Sequence, residues 1–81
     1  MNDQQLLAAF SRILRGLLGD DSIQLTAQMA RQDVPGWDSF NYVNFIVAVE
    51  LEFGIKFSVV DVESFANVGE IVAETQSLLN G

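Results

Sequence analysis

Between Asp38 and Gly54 the chain carries a run with no breaker, in which Phe40, Tyr42, Val43, Phe45, Ile46, Val47, Val49, Leu51 and Phe53 leave little polar relief. Its length decides its conformation. The β-branched valines would suit a buried strand, but strands of that kind end after roughly 4–8 residues, so a run this long is a helix. Asp38 or Ser39 caps its start, and Gly54 stops it just past Phe53. At about 100° per residue, Phe45, Ile46, Val49 and Phe53 share one side, while Phe40, Val43, Asn44, Val47 and Leu51 share the other. A chain of 81 residues cannot bury a helix all round. Part of this apolar surface must therefore face a partner.

The rest of the chain reads as helices of different quality. Leu6, Leu7, Phe10, Ile13, Leu14, Leu17 and Leu18 recur three and four apart, the pattern of an amphipathic helix from about Asp3 to Leu18. Asp3 is the expected cap and Gly19 the stop. Periodicity then disappears from Gly19 to Trp37, where Leu25 and Met29 are expected to pin a long loop to the core, with room for a short turn. Ser58-Val59-Val60-Asp61 resembles a capping box and opens a short helix to about Ser64, with Val59, Val62 and Phe65 turned inward. Asn67-Val68-Gly69-Glu70 repeats the device for a last helix to about Leu79, whose inward stripe is Val68, Ile71, Val72, Thr75, Leu78 and Leu79. The expected fold is all-α: four helices in one domain over residues 1–81, with a long loop between the first two and a short third.

Composition removes most chemistry. The chain has no cysteine and no histidine, so thiolate zinc sites, disulfides and the usual nucleophile–base pairs are excluded. Arg12, Arg15, Arg31 and Lys56 face eleven carboxylates, a net charge of -7. Such a surface repels phosphate backbones, which argues against nucleic acid, and favours partners with basic patches. The polar start Met1-Asn2-Asp3-Gln4-Gln5 lacks the basic and apolar regions of a secretory signal. No stretch approaches the roughly 18 apolar residues of a membrane span. A cytoplasmic protein without membrane insertion is the expectation.

Asp38-Ser39 is the one local setting suited to a reactive atom. A serine in the first turn of a helix sits where free N–H groups and the helix dipole favour negative charge, so a phosphodiester attached there is tolerated. The plain alternative is that Asp-Ser before an apolar helix is only a cap.

The run Gly36-Trp37-Asp38-Ser39-Phe40, continuing through Val43, Phe45, Ile46, Val49, Glu50, Glu52, Phe53, Gly54 and Ile55, resembles the acyl carrier protein family. The likeness extends over the whole chain, including the turn at Val68-Gly69. It implies a four-helix acyl-carrier-like bundle and a carrier rather than an enzyme. By this resemblance Ser39 receives 4'-phosphopantetheine from coenzyme A, through a phosphopantetheinyl transferase normally assisted by Mg²⁺. The distal thiol of the arm then holds an acyl group as a thioester. Asp38 matches the motif aspartate, capping the helix and contacting the transferase. Acyl-loading and acyl-transfer enzymes are the further partners implied, and the chain is expected to be a monomer with no catalytic residue and no metal.

Departures from the family pattern carry information. Phe40 replaces the usual leucine, and Ser58 stands where proline is common. Asn41, Asn44 and Leu51 occupy helix positions often acidic in fatty-acid carriers. These departures, with Trp37 before Asp-Ser, point to a dedicated pathway such as modified lipid, polyketide or polysaccharide acylation. Phe40, Asn41, Asn44, Val47, Glu50 and Leu51 form the expected partner surface. Val47 and Leu51 read as partner contacts and Val43 as core, a pocket sheltering the acyl chain being the alternative. Glu50 and Glu52 read as a solvated face supplementing docking, and Trp37 as either an interface anchor or a cover on the core. Two other functions stay open: a carrier-fold interaction module that never receives the arm, and a carrier of an activated amino acid. The short third helix, thinly anchored, is expected to open more readily than the first two.

Overall fold

The computed structural model describes residues 1–81 and consists of α1 (Asp3–Leu18), a 3₁₀ turn (Arg31–Asp33), α2 (Ser39–Phe53), α3 (Val59–Ser64) and α4 (Val68–Asn80). The helix stops are those the sequence indicates: Gly19 and Gly54 both adopt the left-handed conformation, with φ of 63° and 66°. A glycine takes that conformation without the steric penalty a Cβ would impose. The start of α1 differs from expectation by one residue. Asn2, not Asp3, is the cap: its Oδ1 accepts the Gln5 N–H at 2.8 Å, and the Gln5 side chain accepts the Asn2 N–H at 2.9 Å. The reciprocal box satisfies two orphan donors at once. Asp3 instead lies in the first turn, where its charge complements the dipole.

The core forms where three helices converge. Leu6, Phe10 and Leu14 come from α1, Phe45, Ile46 and Val49 from α2, and Val68, Ile71 and Val72 from α4. Phe10 meets Phe45 edge-on at 5.5 Å, and Trp37 meets the same ring at 5.1 Å. Aromatic contacts of this geometry add about 0.5–1.5 kcal/mol each beyond the area they bury. Trp37 is therefore a core cover rather than an exposed anchor, only 4% accessible, and its Nε1 is buried without a hydrogen-bond partner. Phe57, which the helical pattern does not mark, is also buried and stacks edge-on with Phe65.

The long loop is fastened at both flanks. Ser11, polar yet buried, donates to the Leu7 carbonyl and accepts the Leu25 N–H at 2.9 Å. Arg15 Nε donates to the Ile23 carbonyl. On the other side the Val68 and Gly69 N–H groups donate to the Met29 and Ala27 carbonyls, both at 2.8 Å. A Cβ on Gly69 would come within 3.0 Å of the Ala27 oxygen, so the close approach of the two backbones needs glycine. Leu25 is buried and Met29 half-buried, as the pinning role requires.

α3 buries no residue fully. Val59, expected inward, is exposed together with Val60, whereas Val62 and Phe65 are half-buried. Six residues make under two turns, so only one edge of this helix can reach the core. Ser58 caps it by accepting the Asp61 N–H. At α4, Asn67 accepts the Glu70 N–H, but the Glu70 carboxylate reaches back to the Ala66 N–H rather than to Asn67. Leu78 and Leu79, also expected inward, are more than a third exposed, because the last turn of α4 runs beyond the core cluster. No helix is long and apolar enough to cross a membrane.

Candidate functional site

Ser39 is the first residue of α2 and is exposed. Asp38 before it is the cap, its Oδ1 accepting the Asn41 N–H at 2.9 Å while its carbonyl accepts the Tyr42 N–H. The N–H groups of Ser39 and Phe40 are left without an acceptor, so donors and the positive end of the helix dipole gather around the serine hydroxyl. Asn41 does not project freely: its amide donates to the Gly36 carbonyl at 3.1 Å and closes the turn leading into α2.

A cation stands beside the hydroxyl. Arg31, on the 3₁₀ turn, brings Nη1 to 3.4 Å from Ser39 Oγ and lays its guanidinium over the Tyr42 ring, 5.5 Å from the centroid. Tyr42 in turn donates its hydroxyl to the Val62 carbonyl at 2.7 Å, tying α2 to α3. Partial burial pushes the Tyr42 phenol above its ordinary value, with the Arg31 charge pulling the other way. At neutral pH the hydroxyl therefore keeps its proton and its bond. Neither Arg31 nor Tyr42 is marked by the sequence motif; the only signal was that Arg31 is one of four cations and lies eight residues before the serine.

From Ser39 a groove of about 480 Å³ opens between α2 and α3, bordered by Arg31, Tyr42, Val43, Val62 and Phe65. A second, more apolar groove of about 340 Å³ continues past Val43 along Ile46, Val47, Phe57, Val59 and Val62. Val43 is consequently not core but 55% exposed, because it faces these grooves rather than α1. Phe40 and Leu51 are more exposed still, at 74% and 80%, and Val47 is exposed on the same stripe, with Asn44 half-buried beside it. Glu50 departs from the solvated-face reading. Its carboxylate is turned inward to accept the Phe57 N–H at 2.8 Å, with Lys56 3.7 Å away. Glu52 is exposed and pairs with Arg12. No cluster of acidic side chains is arranged to hold a metal ion.

Comparison with known proteins decides what this geometry belongs to. No family model matches the chain. The acyl carrier protein of Thermotoga maritima is 30% identical to it over 76 residues, 94% of either chain. The chain belongs to the acyl carrier protein family. A second member, from an Exiguobacterium species, is 29% identical over 98% of this chain and the whole of its own length. The solution structure of holo acyl carrier protein from Geobacter metallireducens superposes with a TM-score of 0.84 at 34% identity, covering 91% of this chain and 85% of that one. The all-helical fold and the order of its elements are thus those of an acyl carrier protein. Members of this family are carriers, and the group they carry is 4'-phosphopantetheine.

The residues around Ser39 fit that group. A phosphodiester needs a solvent-facing hydroxyl, local positive potential and space for a flexible arm. Ser39 supplies the first, the open N–H groups and Arg31 the second, and the α2–α3 groove the third.

Proposed function

We propose that residues 1–81 act as one acyl carrier domain, with Ser39 Oγ as the attachment point. The observation that carries this reading is an exposed serine at the first position of α2, beside an unpaired arginine and an open groove, in a chain of this family. When bound, the group would supply a distal thiol on which acyl chains are held as thioesters, a chemistry this cysteine-free chain cannot otherwise perform. On loading, Ser39 Oγ forms a bond to the β-phosphorus of coenzyme A, the bond from that phosphorus to the adenosine bisphosphate breaks, and the hydroxyl proton passes to a base of the transferase. Asp38 holds the helix start, which keeps the hydroxyl outside the core and within a transferase's reach. Phosphopantetheinyl transferase and the acyl-loading and acyl-transfer enzymes of a pathway are its partners, met by a monomer in the cytoplasm.

Phe40, Val47 and Leu51, with Val43 at the groove edge, form the docking stripe of this reading, and Asn44 borders it. The stripe is uncharged, so docking here rests on apolar contact more than on ion pairs. That favours a dedicated lipid, polyketide or polysaccharide-modifying pathway over general fatty-acid synthesis. The α2–α3 groove is suited to sheltering a chain tethered at Ser39.

The test is intact-mass analysis after incubation with coenzyme A, Mg²⁺ and a broad-specificity phosphopantetheinyl transferase, beside Ser39→Ala. The expected result is a gain of one phosphopantetheine that the variant lacks. Folded, previously unmodified protein that gains nothing with several transferases would instead be a carrier-fold interaction module.

A further inference from the structure

Arg31 is the cation least accounted for by the fold. Arg12 pairs with Glu52 and Lys56 with Glu50, while Arg15 is held by the Ile23 carbonyl. Arg31 has no carboxylate within ion-pair distance, although Asp33 is two residues away. Asp33 is committed elsewhere, accepting the Ala30 N–H at 2.8 Å. The long Arg31 side chain is nevertheless placed. Its backbone is set in the 3₁₀ turn, whose Ala30 and Arg31 carbonyls accept the Asp33 and Val34 N–H groups. That turn follows Met29, which is strapped to α4 through the Val68 N–H. The Tyr42 ring then supports the guanidinium, and the Val62 carbonyl fixes the Tyr42 hydroxyl. A neutral serine hydroxyl 3.4 Å from Nη1 gives a weak return for so much arrangement in a chain with a net charge of -7.

We propose that Arg31 is a resident counter-ion for the phosphodiester carried on Ser39, an inference that rests on the attachment reading above. A phosphodiester at Oγ carries one negative charge on two non-bridging oxygens, which a guanidinium fork matches with two N–H donors. Asp38 and Glu63 are the other charged groups bordering the serine and its groove, and both are repulsive toward that charge. Arg31 offsets them. It also stands on the groove side of the serine, so pairing with it directs the root of the arm toward α3 rather than along the outward stripe of Phe40 and Leu51. The guanidinium is thus a positioning group at the root of the arm, with no part in thioester chemistry.

The test compares unloaded and loaded forms of the wild type, Arg31→Gln and Arg31→Lys, each with loading confirmed by intact mass and folding by amide spectra. Two readouts are taken: the Arg31 Nε–H resonance, and the melting-temperature change on loading at low and high NaCl. In the wild type, loading should shift and sharpen the Nε–H resonance and raise the melting temperature by a few degrees. High salt should reduce that rise. Arg31→Gln should lose the rise, and Arg31→Lys should keep part of it, because charge survives without the fork. A confirmed mass gain with an unmoved Arg31 resonance, or an equal rise in Arg31→Gln, overturns the counter-ion role alone. No mass gain in any form overturns the attachment reading and this inference with it.

Discussion

Glu50 and Leu51 are neighbours on α2 with opposite duties. The Glu50 side chain is 10% exposed and receives the Phe57 N–H just after the turn at Gly54, whereas Leu51 stands 80% exposed. Hydrogen bonds to charged groups contribute about 1.5–3 kcal/mol, so Glu50→Ala should destabilise the fold by about 2 kcal/mol. Leu51→Ser should stay within about 0.5 kcal/mol and weaken binding to acyl-transfer partners instead. Urea midpoints at fixed protein concentration separate the two, and similar midpoints would contradict the assignment. Ser11→Ala should cost about 1–3 kcal/mol by orphaning the buried Leu25 N–H. The outward position of Leu51 could be read from the sequence, but the duty of Glu50 could not. Glu50 looked solvated because its acceptor role is toward a backbone N–H seven residues on, placed by a left-handed turn. Val43 looked like core because, in a helix apolar nearly all round, spacing groups side chains without saying which group faces in. The Asp38 cap and the place of Ser39 in the first turn were legible, since both depend on local position along the helix. Arg31 was not, because its relation to Ser39 exists only once the loop is strapped to α4.

Among the elements, α3 has the weakest hold. It buries no side chain fully and is tied through the Tyr42 hydroxyl and the half-buried Val62 and Phe65. Amides of 58–65 should exchange faster than those of α1 and α2, and Tyr42→Phe should speed them further with little change in α1. Uniform protection across the helices would refute this. A charge contact between α3 and α4 adds a pH dependence. Glu74 is held above its ordinary value, first by sharing a hydrogen bond with Asp61, then by desolvation and the Asp61 charge. The folded protein then binds that proton more tightly than the unfolded one, so stability from this site rises as pH falls through the raised value toward 4.5. Above it the two carboxylates repel. Asp20, held low by the Ser22 hydroxyl and N–H, works the other way, and its contribution disappears only as pH falls through its lowered value. Glu74→Gln should therefore stabilise the fold at pH 7 and flatten the change in melting temperature as pH falls from 7 to 4.5. An unchanged slope would mean that the pair does not govern α3. Helix boundaries were legible because caps are local, as Gly19, Gly54, Ser58 and Asn67 show. The exposure of Val59 and Leu78 was not, because it depends on where neighbouring elements end.

The whole molecule carries eleven carboxylates against four cations on a body of about 33 × 24 × 22 Å. Most of its charges therefore lie within a few screening lengths of one another, the Debye length being about 10 Å at 0.1 M salt. Salt has two opposed effects here. It weakens the Arg12–Glu52 and Lys56–Glu50 pairs, but the first is a surface pair worth only about 0–1 kcal/mol, and the second is a 3.7 Å contact whose lysine end is solvated. It also screens the mutual repulsion of the unpaired carboxylates, which are more numerous and which the unfolded chain can separate. Relief of that repulsion outweighs the loss of the pairs, so raising NaCl from about 20 mM to about 200 mM at pH 7 should raise the melting temperature of the unloaded protein. With no acidic cluster arranged to hold a metal, tetramethylammonium chloride should do the same at equal ionic strength. A rise specific to one cation would reveal an ion site, and a flat or falling response would show that the ion pairs outweigh the repulsion. The uncharged stripe of Phe40, Val47 and Leu51 should meanwhile keep acyl-transfer docking nearly constant over the same range, provided those residues supply most of the contact. Loss of docking by about tenfold or more would instead place the recognition on the acidic surface.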